Sequence, residues 1–224
     1  MNSFKSFVGA ATLIATTVAA TGCDPMHAFS PGVTGSGKSR TESRSVGSFS
    51  RVQHESAADV SVLVGPKAGV KITADDNILP LISTSVKNDT LVIKSSDSFK
   101  PKTKVRVEIT TPSLTMAYLL GAGNLKVDRL RARIFAAKLG GAGNVNLNGT
   151  CDELRVELSG AGNVQAYNLQ AQTVQAVLNG AGNIEVDPHR KLEAQIGGAG
   201  NITYKGSPQV DKVVNGAGTI RAKK

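Results

Sequence analysis

The sequence predicts an all-β chain that winds into a β-solenoid, and three observations predict it. The first is an internal repeat. The tetrapeptide GAGN begins at Gly121, Gly141, Gly160, Gly180 and Gly198 and returns as GAGT at Gly216, with starts 20, 19, 20, 18 and 18 residues apart. Recurrence at so even a spacing marks a repeating architecture. The second is strict alternation after each motif. Leu125, Val145, Val164, Ile184, Ile202 and Ile220 form one apolar column, Val127, Leu147, Ala166, Val186, Tyr204 and Ala222 a second, and Lys126, Asn146, Gln165, Glu185, Thr203 and Arg221 lie between. A period of two is a strand with one buried face. The third is a matching set before each motif: Leu119, Leu139, Leu158, Leu178, Ile196 and Val214, preceded at two residues by Ala117, Ala137, Val156, Ala176 and Ala194. Lys212 breaks this last column. Each repeat therefore supplies two short strands, and 18 to 20 residues suffice for one narrow coil stacked on the next at about 4.8 Å.

The motif itself reads as structural. Its glycines remove Cβ atoms where the chain bends and neighbouring coils press together, and Asn tolerates left-handed backbone. Asn124, Asn144, Asn163, Asn183 and Asn201 then form a structural ladder, each amide bonding to the next coil or to turn backbone. Thr219 ends the series ahead of the polar RAKK.

Residues 42–120 alternate as well, in ADVSVLVG, GVKITA, DTLVIKSS and KVRVEITTPSL. They read as strands of the same stack with less regular turns. DDNILPLIST interrupts them, Pro80 opposing a long helix, and SDSFKPKTK reads as a projecting loop.

Ahead of the strands lies an export signal. Lys5 precedes the apolar FVGAATLIATTVAA, too short and too rich in small residues for a membrane span, and ATGC follows. Cys23 after Ala20, Thr21 and Gly22 resembles a bacterial lipobox, with Ala20 departing from the usual Leu. The reading is a lipoprotein-type signal peptide over 1–22, acylation at Cys23, a flexible tether over 23–41 and the solenoid over 42–224. An ordinary cleaved secretory signal is the alternative. With Cys23 lipidated, Cys151 has no intrachain partner and reads as a small buried filler.

Within the tether, GVTGSGKS (Gly32 to Ser39) fits the phosphate-loop pattern letter for letter. Phosphate binding needs a buried strand before the glycines and a helix after them. CDPMHAFSP and RTESRSVGSFS supply neither, so no nucleotide is expected.

The formal net charge of +9 favours anionic partners such as phospholipid head groups, lipopolysaccharide or acidic polysaccharide. Basic residues cluster in FKPKTKVRV and RLRARIFAAK. No nucleic-acid motif or aromatic cluster accompanies them, and nucleic acid is not expected. A calcium row is also disfavoured, because the repeated polar residue is neutral Asn rather than Asp. No carboxylates group across adjacent coils as a polysaccharide-cleaving enzyme requires. His27, His54 and His189 lack metal-pair spacing and read as solvated. No catalytic residue, cofactor site or metal site is assigned.

RSVGSFSRVQHESAADVSVLVG, VKITADDNILPLISTSVKNDTLVI, VRVEITTPSLTMAYLLGAGNL and the GAGN series together resemble the head GIN domain family, described as putative auto-transporter adhesins, over residues 34–224. The resemblance implies a single-domain right-handed β-helix similar to pectin-lyase-like folds, without recognised catalytic residues and often exported or lipid-anchored. The expected function is a non-enzymatic adhesion or binding module, anchored by lipid in the cell envelope on the inner or the outer membrane. It would present a stacked β surface to an anionic polymer or surface. A glycan-active enzyme of lyase or hydrolase type on the same scaffold is the alternative.

Overall fold

The computed structural model describes residues 32–223. The signal peptide 1–22, Cys23, His27 and the tether as far as residue 31 lie outside the described residues. The N-terminal half contributes β1 (Val33–Thr34), β2 (Ser39–Arg44), β3 (Arg51–Glu55), β4 (Asp59–Val64), β5 (Gly69–Asp75), β6 (Ile82–Lys87), β7 (Thr90–Ser95), β8 (Phe99–Lys100), β9 (Arg106–Thr111) and β10 (Met116–Leu119). The repeats contribute β11 (Asn124–Leu139), β12 (Ala142–Leu158), β13 (Ala161–Leu178), β14 (Ala181–Ile196), β15 (Ala199–Tyr204), β16 (Gln209–Val214) and β17 (Ala217–Ala222). Together they form a β-solenoid of about five turns.

Two stacks of strands run the length of the coil. One orders β4, the first half of β11 to β14, β15 and β17, all parallel, with β9 extending it beyond β4. The other orders β3, β10, the second half of β11 to β14, and β16, also parallel. At the N-terminal end the pairing turns antiparallel: β5 pairs with β9, β2 with β5, and β6 with β7. Asn88 and Asp89, both with positive φ, make the tight turn of the β6–β7 hairpin.

Instead of two separate strands per repeat, β11 to β14 are continuous strands of 16 to 18 residues that turn a corner while staying paired. At the other corner only two residues, such as Ser159 and Gly160, separate one strand from the next. The apolar columns meet inside. Leu125, Val145, Val164, Ile184, Leu119, Leu139, Leu158 and Leu178 are all fully buried. Truncating one of these leucines to Ala costs about 2 to 5 kcal/mol.

The glycines owe their place to coil spacing. A Cβ on Gly162 would overlap the carbonyl oxygen of Gly143, and one on Gly182 that of Gly162. Both also take φ near +150°, Gly162 at 153° and Gly182 at 150°. This corrects the sequence reading of the motif: the second glycine carries the unusual backbone, whereas the Asn that follows is ordinary strand.

The tether boundary at residue 41 is likewise corrected. Gly32 to Thr41 is stitched into the compact unit. β1 pairs with β8, so SDSFKPKTK is not simply a projecting loop, and β2 pairs with β5. The fastening is Asp75, which is fully buried. Its carboxylate accepts the backbone N–H groups of Gly37 (2.8 Å), Lys102 (2.9 Å) and Thr103 (3.2 Å). Burial pushes this carboxyl upward, but the three amides outweigh it and hold the group below its ordinary value. The Ser36 N–H donates to Asn77 Oδ1 at 2.9 Å. The glycine loop that matches a phosphate cradle gives an anion one N–H, that of Gly37, and the anion is the protein's own Asp75.

His54 reverses another expectation. It is fully buried, not solvated. Its Nε2–H donates to the Ala58 carbonyl at 2.8 Å, and Nδ1 accepts the Ser56 N–H at 3.3 Å, so the ring plugs the gap beside Gly123 as a neutral imidazole. Cys151 lies buried at the turned corner, where burial pushes its thiol up to about 12.

Candidate anion-binding groove

The Asn column is in register from coil to coil. Asn144 Nδ2 donates to Asn124 Oδ1 at 3.0 Å, Asn163 to Asn144 at 3.0 Å, Asn183 to Asn163 at 2.9 Å and Asn201 to Asn183 at 3.2 Å. The Thr219 hydroxyl donates to Asn201 Oδ1 at 2.7 Å. At the other end Asn124 Nδ2 donates to Asp59 Oδ1 at 2.8 Å. All the amides point the same way. The amide-rich face they share is bonded within itself, Asn148 Nδ2 also reaching Asp128 Oδ1 at 2.8 Å.

The opposite face neutralises its own charge. Lys138 pairs with Glu157 at 2.8 Å, Arg155 with Glu153 at 2.6 Å, and Lys191 with both Glu193 (2.6 Å) and Asp211 (3.1 Å). Glu157 holds the Lys138 ammonium above its ordinary value, and Glu193 with Asp211 does the same for Lys191.

The turned corner between the two faces behaves differently. Coil lengths are unequal, and the excess is absorbed there. Between β11 and β12 the register passes from Val127↔Leu147 to Leu130↔Gly149, so β11 carries an extra residue at Asp128–Arg129. Arg129 consequently sits at φ +57°, a left-handed conformation at an ordinary residue. Between β13 and β14 the register passes from Ala166↔Val186 to Gln170↔Asp187, leaving Tyr167, Asn168 and the buried Leu169 without partners on β14. Bulges of this kind re-aim side chains.

The outcome is an open groove of about 860 Å³ lined by, among others, Arg129, Arg131, Tyr167, Gln170, Asp187 and Lys205. Those residues come from β11, β13, β14 and the end of β15, so the groove crosses the coils along the solenoid axis for roughly 19 Å at the usual strand spacing. A smaller recess continues it past Thr150, Asp152 and the exposed His189. The Tyr167 hydroxyl donates to Thr203 Oγ1 at 2.7 Å, skipping one coil. Lys205 Nζ donates to the Tyr167 carbonyl at 3.1 Å and stands 5.1 Å from the ring centre, with Lys223 Nζ at 4.4 Å. This cation–π bracket fixes positive charge at the groove. Among the described residues Arg129, Arg131 and Arg133 are exposed and make no ion pair.

A family model described as "Putative auto-transporter adhesin, head GIN domain" matches residues 48–208. The chain belongs to the head GIN domain family. Solved structures agree with that assignment. A putative adhesin of Bacteroides fragilis is 26% identical with a TM-score of 0.72, the match covering 86% of this chain and 100% of the other. A putative adhesin of Parabacteroides merdae is 21% identical with a TM-score of 0.54, covering 86% and 99%. A putative lipid binding protein of Parabacteroides distasonis is 19% identical with a TM-score of 0.53, again covering 86% and 99%. No curated protein matches the chain.

In this head GIN domain the groove residues were only half visible in the sequence. RLRARIFAAK stands out as basic, but Tyr167 and Lys205 do not. The one signal that could have located them is the fall in repeat spacing from 20 to 18 after Gly180, which is where the segment unpaired on β14 meets the shorter coil. Asp187 is the groove's one lining carboxylate, and no cluster of three His, Cys, Asp or Glu that could hold a metal occurs among the described residues. Nor is any described helix long and apolar enough to cross a membrane. What the groove offers is fixed positive charge, side-chain amides and hydroxyls, a set suited to holding an anion in water.

Proposed function

We propose that this head GIN domain protein is a non-enzymatic binding module of the cell envelope, held to a membrane by lipid at Cys23, that adheres to an anionic polymer through its corner groove. The observation that carries the reading is the contrast between surfaces. One broad face is internally ion-paired and the other internally hydrogen-bonded, whereas among the described residues the arginines of the corner stand without carboxylate partners. A long groove across stacked coils suits an extended polymer better than a small molecule, and a polymer contacting several coils gains affinity by multivalency. Membership of an adhesin family supports the same reading.

A panel of acidic and neutral polysaccharides, screened for both binding and cleavage, tests it. Saturable binding confined to acidic polymers, with no product released, is expected. Retention of neutral polymers alone, or any shortening of a bound chain, would overturn it.

A further inference from the structure

Resting on that reading, the geometry points to a narrower assignment: the groove is a subsite for a carboxylated sugar, a uronate unit within a polysaccharide, with Arg129 and Arg131 as the carboxylate-reading residues.

Three observations converge on this class. Arg129 and Arg131 both line the groove and stand free of ion pairs among the described residues. Guanidinium groups present paired donors that match the planar fork of a carboxylate. Next, Asp187 lines the same groove beside Asn168, Gln170 and Thr150. A lone carboxylate among amides and a hydroxyl accepts from sugar hydroxyls. Beside the arginines it adds an acceptor for hydroxyls to the donors for a carboxylate, the set that a hydroxyl-rich acidic polymer uses. The bracket of Lys205 and Lys223 on Tyr167 finally engages the aromatic ring, so recognition runs through charge and hydroxyls instead of through stacking on an apolar sugar face.

The backbone at Arg129 supplies independent support. A left-handed φ of 57° at a non-glycine residue is a strained choice, where glycine would sit freely. Strain of this sort collects at functional sites. At this position the bulge turns the residue out into the groove.

Because Gly relieves the backbone while deleting the guanidinium, Arg129→Gly separates structure from recognition. The full-length protein and its variants are titrated with galacturonate oligomers, neutral dextran oligomers and phosphatidylglycerol vesicles, and melted in parallel. Arg129→Gly and Arg131→Gln are each expected to weaken oligouronate binding at least about tenfold, the loss for one charge-assisted contact. Arg129→Gly should melt at or above the wild-type temperature, and Lys138→Gln, on the ion-paired face, should bind as wild type does. Should Arg129→Gly fold poorly, Arg131→Gln decides. Wild-type binding of oligouronate that both arginine variants retain in full would overturn the site while leaving the broader function standing. Vesicle binding that the arginine variants lose, with none to oligouronate, would replace the acidic sugar by a phosphate head group. A wild-type protein that binds no anionic probe would overturn the function and the site together.

Discussion

Asn124 donates its side-chain amide to Asp59 at 2.8 Å, so the column of asparagines starts from a carboxylate and hands one hydrogen bond from coil to coil until Thr219 closes it. An acceptor-only group at one end and a hydroxyl donor at the other give the chain a single direction. A defect in its middle therefore breaks two bonds, and one at its end breaks one.

Asn163→Ala tests this. The change removes both the donor to Asn144 and the acceptor of Asn183, at a cost of about 1 to 2 kcal/mol for a part-exposed site. Thr219→Ala should cost less, since only its bond to Asn201 is lost. Urea melts of the two variants compare them, and equal losses would contradict the ladder.

His54 makes stability depend on pH. Burial holds its folded value below the ordinary one of about 6.5, so the unfolded chain binds a proton first as pH falls. Stability is complete above that value and declines as pH drops below it. Urea midpoints should fall between pH of about 7.5 and about 5.5, and His54→Gln should flatten that slope. An unchanged slope in the variant would assign the effect elsewhere.

Asp75 fastens the N-terminal segment to the loop at Lys102 and Thr103. Asp75→Ala leaves three amides without their acceptor. Limited trypsin digestion should then cut at Lys38, Arg40 and Lys102 well before the repeats are attacked. Because the folded carboxyl sits below its ordinary value, its contribution is present above the unfolded value and is lost as pH falls through the folded one.

Cys23→Ala addresses the anchor. The variant should leave the membrane fraction or accumulate as uncleaved precursor, as fractionation and mass measurement would show. Processing and membrane association equal to wild type would remove lipidation from the account.

Much of the fold was legible because it repeats. Leu125, Val145, Val164 and Ile184 are one decision made several times, and a period of two leaves little freedom in what they bury. Features made once were harder to read. Asp59 belongs to the Asn column, yet its ADV carries no GAGN around it, and only the pairing of Val60 with Leu125 brings it there. Gly32 to Thr41 looked like a spacer because its partners, Asp75 and Lys100, lie far along the chain and the segment itself has no apolar pattern. The groove was hardest, since it arises from the mismatch between neighbouring coils and not from any coil's own residues. Arg129 and Tyr167 become neighbours of one cavity through register shifts that no single repeat records.

The most direct test of the account is one calorimetric titration of the full-length protein with a polyuronate, repeated from low to physiological salt, followed by sizing of the polymer recovered from the cell. Saturable heat that weakens as salt rises, with the polymer returned at its original length, is the predicted result. Heat no greater than that given by dextran, or recovery of shortened chains, would contradict it.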